Sequence, residues 1–192
     1  KENPGAVSWA GGSAGGTDHI AVGMIAKAAG VDPTKINYIA YSGGGEALAA
    51  MLGGQVTAGI SGYGEWQGQI ESGDLRALAI SYPEPIEGIA AQPLKAQGVD
   101  VELVNWRGVF AGPDIPDETK AALSTAIANT VKSPEWQEIL KARGWTDYYA
   151  PADEFATFIA SENERVGATL RAIGLANSRS SRCNVGPPVN DR

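Results

Sequence analysis

The sequence predicts an α/β fold built on a parallel sheet, and three observations support this prediction. Short β-rich runs alternate with helical runs from residue 6 to residue 80. Glycine-rich loops connect these strands to the helices that follow them. Within the helical runs, apolar residues recur at helical spacing. Alternation of this kind requires crossover connections, which place neighbouring strands parallel to one another.

The first eighty residues contain the alternating elements. The predicted strands are Ala6–Trp9, Ile36–Tyr41, Val56–Ser61 and Leu75–Ser81. The predicted helices are Thr17–Ala29, Gly45–Leu52 and Tyr63–Glu71. Gly53 and Gly73 follow the second and third helices, and glycine is the usual residue at a helix C-terminus.

The pattern changes beyond Tyr82. Prolines interrupt the chain, an extended segment is expected at Val101–Ala111, and then three helices follow. These predicted helices are Pro116–Val131, Pro134–Arg143 and Pro151–Ile173, the second with Ser133 as its N-cap. Three helices of this kind pack against a sheet, and the one extended segment predicted here is not enough to form that sheet. We therefore expect this half to belong to a domain whose remaining strands lie elsewhere.

Composition and charge exclude several classes of function. The 192 residues carry a net charge of −7, and 43% of them are hydrophobic. Because nucleic-acid binding needs a basic face, we expect no nucleic-acid partner. One histidine and one cysteine argue against a transition-metal site and against an internal disulfide. No run reaches the roughly 18 apolar residues of a membrane span, and Lys1–Gly5 has no apolar signal-peptide core.

Three glycine-rich loops follow the first three predicted strands, at Gly11–Thr17, Ser42–Gly45 and Ser61–Gly64. In an open parallel sheet these loops share the carboxyl edge, where such folds bind ligands. Free N–H groups at the positive end of a helix dipole hold an anion without a basic side chain. The alternative is that the glycines only permit tight turns. The candidate ligand-binding residues are Gly12, Ser13, Ala14, Gly15, Gly16, Thr17, His19, Tyr41, Ser42, Gly43, Gly44 and Ser61.

Some of these side chains have two interpretations. His19 either packs within its helix or orients the Gly15–Thr17 loop through a hydrogen bond. Tyr41 either directs its hydroxyl at the ligand or packs, and Ser42 either caps the next helix or contacts the ligand. Asp18 suits a helix N-terminus, but it would repel an anion bound too close.

Two catalytic motifs compete with the binding interpretation. Gly11–Gly15 matches the G-x-S-x-G nucleophile elbow between a strand and a helix, so the alternative function is an α/β serine hydrolase using Ser13. Such an enzyme needs a histidine as base, and His19, the only histidine, lies inside the helix that the elbow would start. A phosphate-binding P-loop fails because Thr17 stands where the lysine is required.

Taken together, four segments resemble the extracytoplasmic solute receptors of tripartite tricarboxylate transporters, the Bug or TctC family. They are Ser8–His19, Ile39–Leu48, the stretch from Leu52 through Ala79, and Asn105–Pro113. The third contains Gly-Gly-Gln-Val followed by Gly-x-Leu-Arg-Ala-Leu-Ala, and these two motifs at this separation are quite specific to the family. The resemblance covers about residues 1–176.

The resemblance implies a periplasmic-binding-protein-like (type II) α/β fold with a parallel-rich sheet. It also implies a receptor outside the cytoplasm that captures a small organic carboxylate for the transporter's membrane subunits, without catalysis, cofactor or metal. Residues Gly12–Thr17 and Tyr41–Gly44 would be this chain's share of the carboxylate site. Trp106–Pro113 would return the chain from the second domain to the first.

The same resemblance predicts the domain organisation. We expect a complete ligand-binding α/β domain at 1–100, which is the family's second domain, then the return strand and helices of the incomplete first domain at 101–176, and a flexible tail at 177–192. Relatives usually carry more than about a hundred residues before the region matched here. Asp18 also stands where proline is common in the family. A structural or interaction fragment without a ligand is a third functional alternative.

Overall fold

The computed structural model describes residues 2–176, so the predicted tail at 177–192 lies outside the described residues. Its strands are β1 (Ser8–Gly11), β2 (Asn37–Ala40) and β3 (Ala58–Gly59). Its α-helices are α1 (Thr17–Ala28), α2 (Gly44–Leu52), α3 (Tyr63–Glu71), α4 (Asp117–Val131), α5 (Pro134–Arg143) and α6 (Ala152–Ala172). The predicted strand and helix boundaries in the first 71 residues therefore differ from these by at most two residues.

The described strands form a parallel sheet in the order β2-β1-β3. Ser8 pairs with Asn37 across the first interface, and Trp9 pairs with Ala58 across the second. Because β1 lies between its neighbours, the chain reaches β2 and β3 through the crossover helices α1 and α2. The predicted parallel α/β architecture is confirmed.

Leu75–Ser81 is not a strand of this sheet, so that prediction was wrong. Within this stretch Ile80 alone makes a bridge, to Pro93, and its backbone N–H donates to the carbonyl of Gln92 at 3.1 Å. The backbone N–H of Leu94 donates to the carbonyl of Ile80 at 2.9 Å, and no further backbone bond of the described chain joins these two segments. The segment is held by this local contact instead.

The extended segment at Val101–Ala111 likewise forms no strand in the described chain. The backbone N–H of Leu103 donates to the carbonyl of Ser81 at 3.0 Å, and the Ser81 hydroxyl donates back to the carbonyl of Leu103 at 2.6 Å. These two bonds fasten the start of the segment beside the α/β unit. They bring Asn105 and Trp106 close to the beginning of α1, which positions the cavity described below.

Two apolar clusters hold these elements together. The first lies between the sheet and helices α2 and α3, and its buried members are Ala10, Ala47, Ala50, Val56 and Trp66. The second joins α1 to the segment around Leu103 and to α6, through Ile20, Ala21, Val166 and Leu170. Small alanines in the first cluster allow the helices to approach the sheet closely.

The C-terminal helices contribute little to the buried core. Neither α4 nor α6 has a residue that is fully buried, and α5 buries Leu140 only. The expected N-cap of α5 is present, because the Ser133 hydroxyl accepts a hydrogen bond from the N–H of Trp136 at 3.2 Å. Pro116 is the N-cap of α4, so this helix begins at Asp117, one residue after its predicted start. The division at residue 100 stays a prediction.

Candidate functional site

The three glycine-rich loops meet at the carboxyl edge of the sheet. The loop after β1 is bonded to the loop after β2, because the N–H of Tyr41 donates to the carbonyl of Gly11 at 2.9 Å. The loops after β2 and β3 meet at Gly44, where a Cβ would lie 2.5 Å from the Ser61 hydroxyl oxygen. The predicted site residues of all three loops therefore share one edge.

Three side chains hold the loop after β1. The Asp18 carboxylate accepts a hydrogen bond from the Gly12 N–H at 2.8 Å, and the Tyr38 hydroxyl donates to the Gly12 carbonyl at 2.8 Å. The His19 Nδ1 accepts from the Gly15 N–H at 3.2 Å. The imidazole is stacked on the Tyr38 ring, with 4.1 Å between the centroids and 3° between the planes. The orienting hydrogen bond suggested for His19 is thus present.

The bonds within this loop leave other donors open. The Gly16 N–H closes a turn onto the Ser13 carbonyl at 2.9 Å. Within residues 2–176, no hydrogen-bond acceptor contacts the N–H groups of Ser13, Ala14 or Thr17. Ser13 and Ala14 are exposed, and Thr17 begins α1. Open N–H groups at the positive end of a helix dipole are suited to binding an anion.

In the loop after β2, one of the expected donors is already engaged. The Ser42 N–H donates to the Glu46 carboxylate at 3.1 Å. Gly43, not Ser42, is the N-cap of α2, so the capping interpretation of Ser42 was wrong. The Glu46 carboxylate reaches back from the first turn of α2 to accept this bond. The Tyr41 ring packs against the first apolar cluster, which supports its packing interpretation.

In the loop after β3, the Ser61 hydroxyl donates to the Glu65 carboxylate, four residues further along the chain. The backbone of Gly44 lies beside this pair and is buried. The Trp66 indole N–H donates to the Gly44 carbonyl at 2.9 Å and fixes the start of α2 against α3. Ser61 therefore reaches the shared edge, but its proton is used by Glu65.

Carboxylates set the electrostatics of this edge. Burial is the main cause that raises the pKa of Asp18, the Gly12 N–H partly offsets it, and the charge of Glu65 raises it further. The hydrogen bond from the Ser42 N–H lowers the pKa of Glu46. No lysine or arginine lies in Gly12–His19, so an anion here would be held by backbone groups.

A cavity of about 170 Å³ opens beside the loop after β1. It lies between the start of α1, the segment after Leu103 and the middle of α6. The lining residues are Thr17, Ile20, Leu103, Val104, Asn105, Trp106, Glu162 and Val166. The Thr17 hydroxyl donates to the Asn105 amide oxygen at 3.5 Å across this cavity.

Our sequence reasoning did not identify Asn105, Trp106 or Glu162 as site residues. Asn105 and Trp106 lie in a segment that carried the family resemblance, so a signal for them existed. Glu162 lies 145 positions after Thr17 in the chain, on a helix whose apolar periodicity says nothing about the cavity. Only the packing of α6 against α1 brings it there.

The hydrolase alternative gains no support from the site. Among the described residues, no hydrogen bond joins His19 to Ser13. The Nδ1 of His19 is occupied by the Gly15 N–H, and its ring is stacked on Tyr38. A serine nucleophile needs its base within hydrogen-bond reach.

A parallel α/β unit with glycine-rich loops at the carboxyl edge of its sheet is also the fold of solved solute-binding proteins. A TctC solute-binding protein from Polaromonas, solved without ligand, has a TM-score of 0.71 at 24% identity and covers 86% of this chain. A protein from R. palustris solved with adipate has a TM-score of 0.74 at 20% identity and covers 91%. At these identities the likeness shows the fold.

The family follows from the sequence comparison. The model of the tripartite tricarboxylate transporter family receptor matches residues 1–175, and the chain therefore belongs to that family. The protein BugT of Bordetella pertussis is 31% identical over 176 residues, which are 91% of this chain and 53% of BugT. The chain also covers 57% and 58% of the two solved structures, so it spans little more than half the length of these relatives.

Proposed function

We propose that this chain forms part of a solute-binding receptor that captures a small organic carboxylate. The single observation that carries this proposal is the loop after β1, whose side-chain contacts leave the N–H groups of Ser13, Ala14 and Thr17 open at the start of α1. Each hydrogen bond to a charged group contributes about 1.5–3 kcal/mol. Several such bonds are enough for a micromolar dissociation constant.

The family and one relative support the same chemistry. Receptors of this family serve tripartite tricarboxylate transporters, and adipate is a carboxylate bound by a protein of the same fold. We propose that this receptor works in the periplasm and delivers its ligand to the membrane subunits of such a transporter. In the described residues, no helix is both long and apolar enough to cross a membrane.

A thermal-shift screen tests the proposal. The full chain is heated with monocarboxylates, dicarboxylates, citrate and amino acids, one at a time. A ligand at 100 times its dissociation constant stabilises the fold by about 2.7 kcal/mol. For a chain of this size each kcal/mol moves the midpoint by about 2–4 °C. A saturable shift with a carboxylate supports the proposal, and the absence of any shift contradicts it for this chain.

A pair of isosteric variants tests whether the ligand-induced shift comes from the loop after β1. Thr17→Val removes a hydroxyl next to the proposed anion site, and Thr125→Val makes the same change on the exposed face of α4. We expect the first to reduce the ligand-induced shift and the second to leave it unchanged. Equal loss in both variants would show that the shift does not come from the loop after β1.

A further inference from the structure

The cavity beside the loop after β1 has mostly apolar walls. Ile20, Leu103, Val104 and Val166 contribute aliphatic surface, and Trp106 contributes its indole ring. Ile20 and Leu103 are also members of the second apolar cluster and are buried. Ligand pockets are typically lined this way, with a few polar groups that fix orientation. At about 170 Å³ the cavity lies below the ~300–1,000 Å³ of drug-sized sites, so it fits a small molecule.

The charged groups at this cavity are already paired with each other. Glu162 accepts hydrogen bonds from the Arg165 Nε at 2.8 Å and Nη2 at 2.6 Å, and from the Trp106 indole N–H at 3.1 Å. The hydrogen bonding from Arg165 is the main cause that lowers the pKa of Glu162, and the bond from Trp106 lowers it further. Glu162 is therefore ionised at neutral pH. The remaining Arg165 nitrogen, Nη1, donates to the Glu102 carbonyl at 3.3 Å and to the Met24 sulfur at 3.4 Å.

Consequently all three guanidinium nitrogens of Arg165 are engaged with protein acceptors. Among the lining residues that the structure describes, the other polar side chains are Thr17 and Asn105, which are joined to each other by the long bond of 3.5 Å. An additional carboxylate in this cavity would add a negative charge beside the neutral Glu162–Arg165 pair, whose cation is already compensated by Glu162. Burying an uncompensated charge is strongly unfavourable.

We propose that the cavity binds the apolar body of a monocarboxylate whose carboxylate lies on the N–H groups of the loop after β1. Thr17 belongs both to the anion-binding loop and to the cavity, because it begins α1 and also lines the cavity. The site thus selects a small acid with an aliphatic or single-ring body over a dicarboxylate or tricarboxylate. This inference rests on the proposed function and specifies its substrate class.

Isothermal titration of the full chain with hexanoate, adipate and citrate tests the selectivity directly. Hexanoate and adipate have the same number of carbons, and adipate adds the second carboxylate. We expect hexanoate to bind about tenfold more tightly than adipate, and citrate to bind more weakly still. Equal or tighter binding of adipate or citrate would overturn the inference but leave the proposed function standing. Failure of every acid to bind would overturn both.

A charge-neutral variant tests the role of Glu162. Glu162→Gln removes the negative charge at the cavity and frees part of the Arg165 guanidinium for a ligand. We expect the ratio of hexanoate to adipate affinity to fall several-fold in this variant, measured after circular dichroism confirms folding. Glu164→Gln, an exposed change on the same helix, should leave the ratio unchanged. An unchanged ratio in Glu162→Gln would contradict the proposed role.

Discussion

His19 illustrates how one side chain can determine the conformation of a binding loop. Its Nδ1 accepts the hydrogen bond from the Gly15 N–H, and only the neutral imidazole can accept there. Tyr38 supports this arrangement from two directions, by stacking on the imidazole and by donating its hydroxyl to the Gly12 carbonyl. Burial lowers the pKa of His19 below its ordinary 6.5.

The pH dependence of stability follows from this lowered pKa. As pH falls below 6.5, the unfolded chain takes up a proton on His19 before the folded chain does, so the free energy of unfolding decreases. The contribution of His19 is complete above pH 6.5 and is lost as pH falls through the lower pKa of the folded state. Because the chain has one histidine, an NMR titration reads this group directly, and we expect a midpoint below 6.5.

A variant separates His19 from other titrating groups. His19→Phe keeps an aromatic ring beside Tyr38 but can neither accept from Gly15 nor titrate. We expect the unfolding free energy of this variant, measured by urea denaturation, to change less between pH 7 and pH 5.5 than that of the parent chain. A midpoint at or above 6.5, or the same pH dependence in both proteins, would contradict this assignment.

At the scale of elements, two glycines differ sharply in what they contribute. Gly59 lies in β3, where an added Cβ would overlap the Met51 sulfur and lie 2.6 Å from the buried Trp66 ring. Gly68 lies exposed inside α3, and nothing lies within 4 Å of the position of its Cβ. The first glycine permits close packing between the sheet and α3, whereas the second only weakens a helix.

These two positions give a matched pair of substitutions. Gly59→Ala should destabilise the fold by about 1–3 kcal/mol, because a well-packed core must rearrange around the added methyl group. Gly68→Ala should stabilise it by roughly 0.5–1 kcal/mol through helix propensity. Chemical denaturation of both variants checks the two signs. Destabilisation by both changes would mean that the backbone of α3 does not accept alanine.

At the scale of the whole molecule, a negative protein is proposed to bind a negative ligand. The net charge is −7, and Asp18, Glu46 and Glu65 lie at the edge where the anion would arrive. Long-range repulsion therefore opposes encounter, and it is screened by salt over about 10 Å at 0.1 M. Only the local N–H groups favour the anion once it has arrived.

Because the long-range field is repulsive, we predict that added salt increases the association rate of the ligand. We expect the association rate of a carboxylate to increase when sodium chloride is raised from about 0.02 M to 0.2 M, because screening weakens the repulsion. Stopped-flow measurement of intrinsic tryptophan fluorescence provides the readout. Sodium sulfate at matched ionic strength is the control for specific chloride binding. A rate that decreases with both salts would indicate a net attractive field at the site.

The C-terminal helices are the other feature that concerns the whole molecule. Aromatic side chains of α6 and the preceding segments form a cluster that includes Trp106, Phe110, Phe155 and Phe158. Phe110 in this cluster is 67% exposed. The expectation that these helices belong to a domain whose remaining strands lie elsewhere stays a prediction, and the 176 residues matched to BugT are 53% of that protein.

How much was predictable differs between the two parts of the chain. The strands and helices of the first 71 residues were predicted because glycine loops and apolar periodicity are local signals. Leu75–Ser81 was wrongly predicted to be a strand, since β-propensity in a run does not reveal whether another strand pairs along it, and here the pairing is one isolated bridge. The capping role of Ser42 was also wrong, because α2 begins with Gly43 as its N-cap, and the contact of Ser42 with a ligand stays a prediction.

By itself, the sequence determined the parallel α/β unit, the family and the three loops at one sheet edge, because these depend on local patterns and on chain order. Only the tertiary structure decided which donors are free. It showed that Asp18, Glu46 and Glu65 occupy some of the loop donors and that α6 brings Glu162 to the cavity. The physical reason is that hydrogen bonds and cavities depend on distances of a few ångström between side chains, and residues far apart in the chain reach such distances only when it folds.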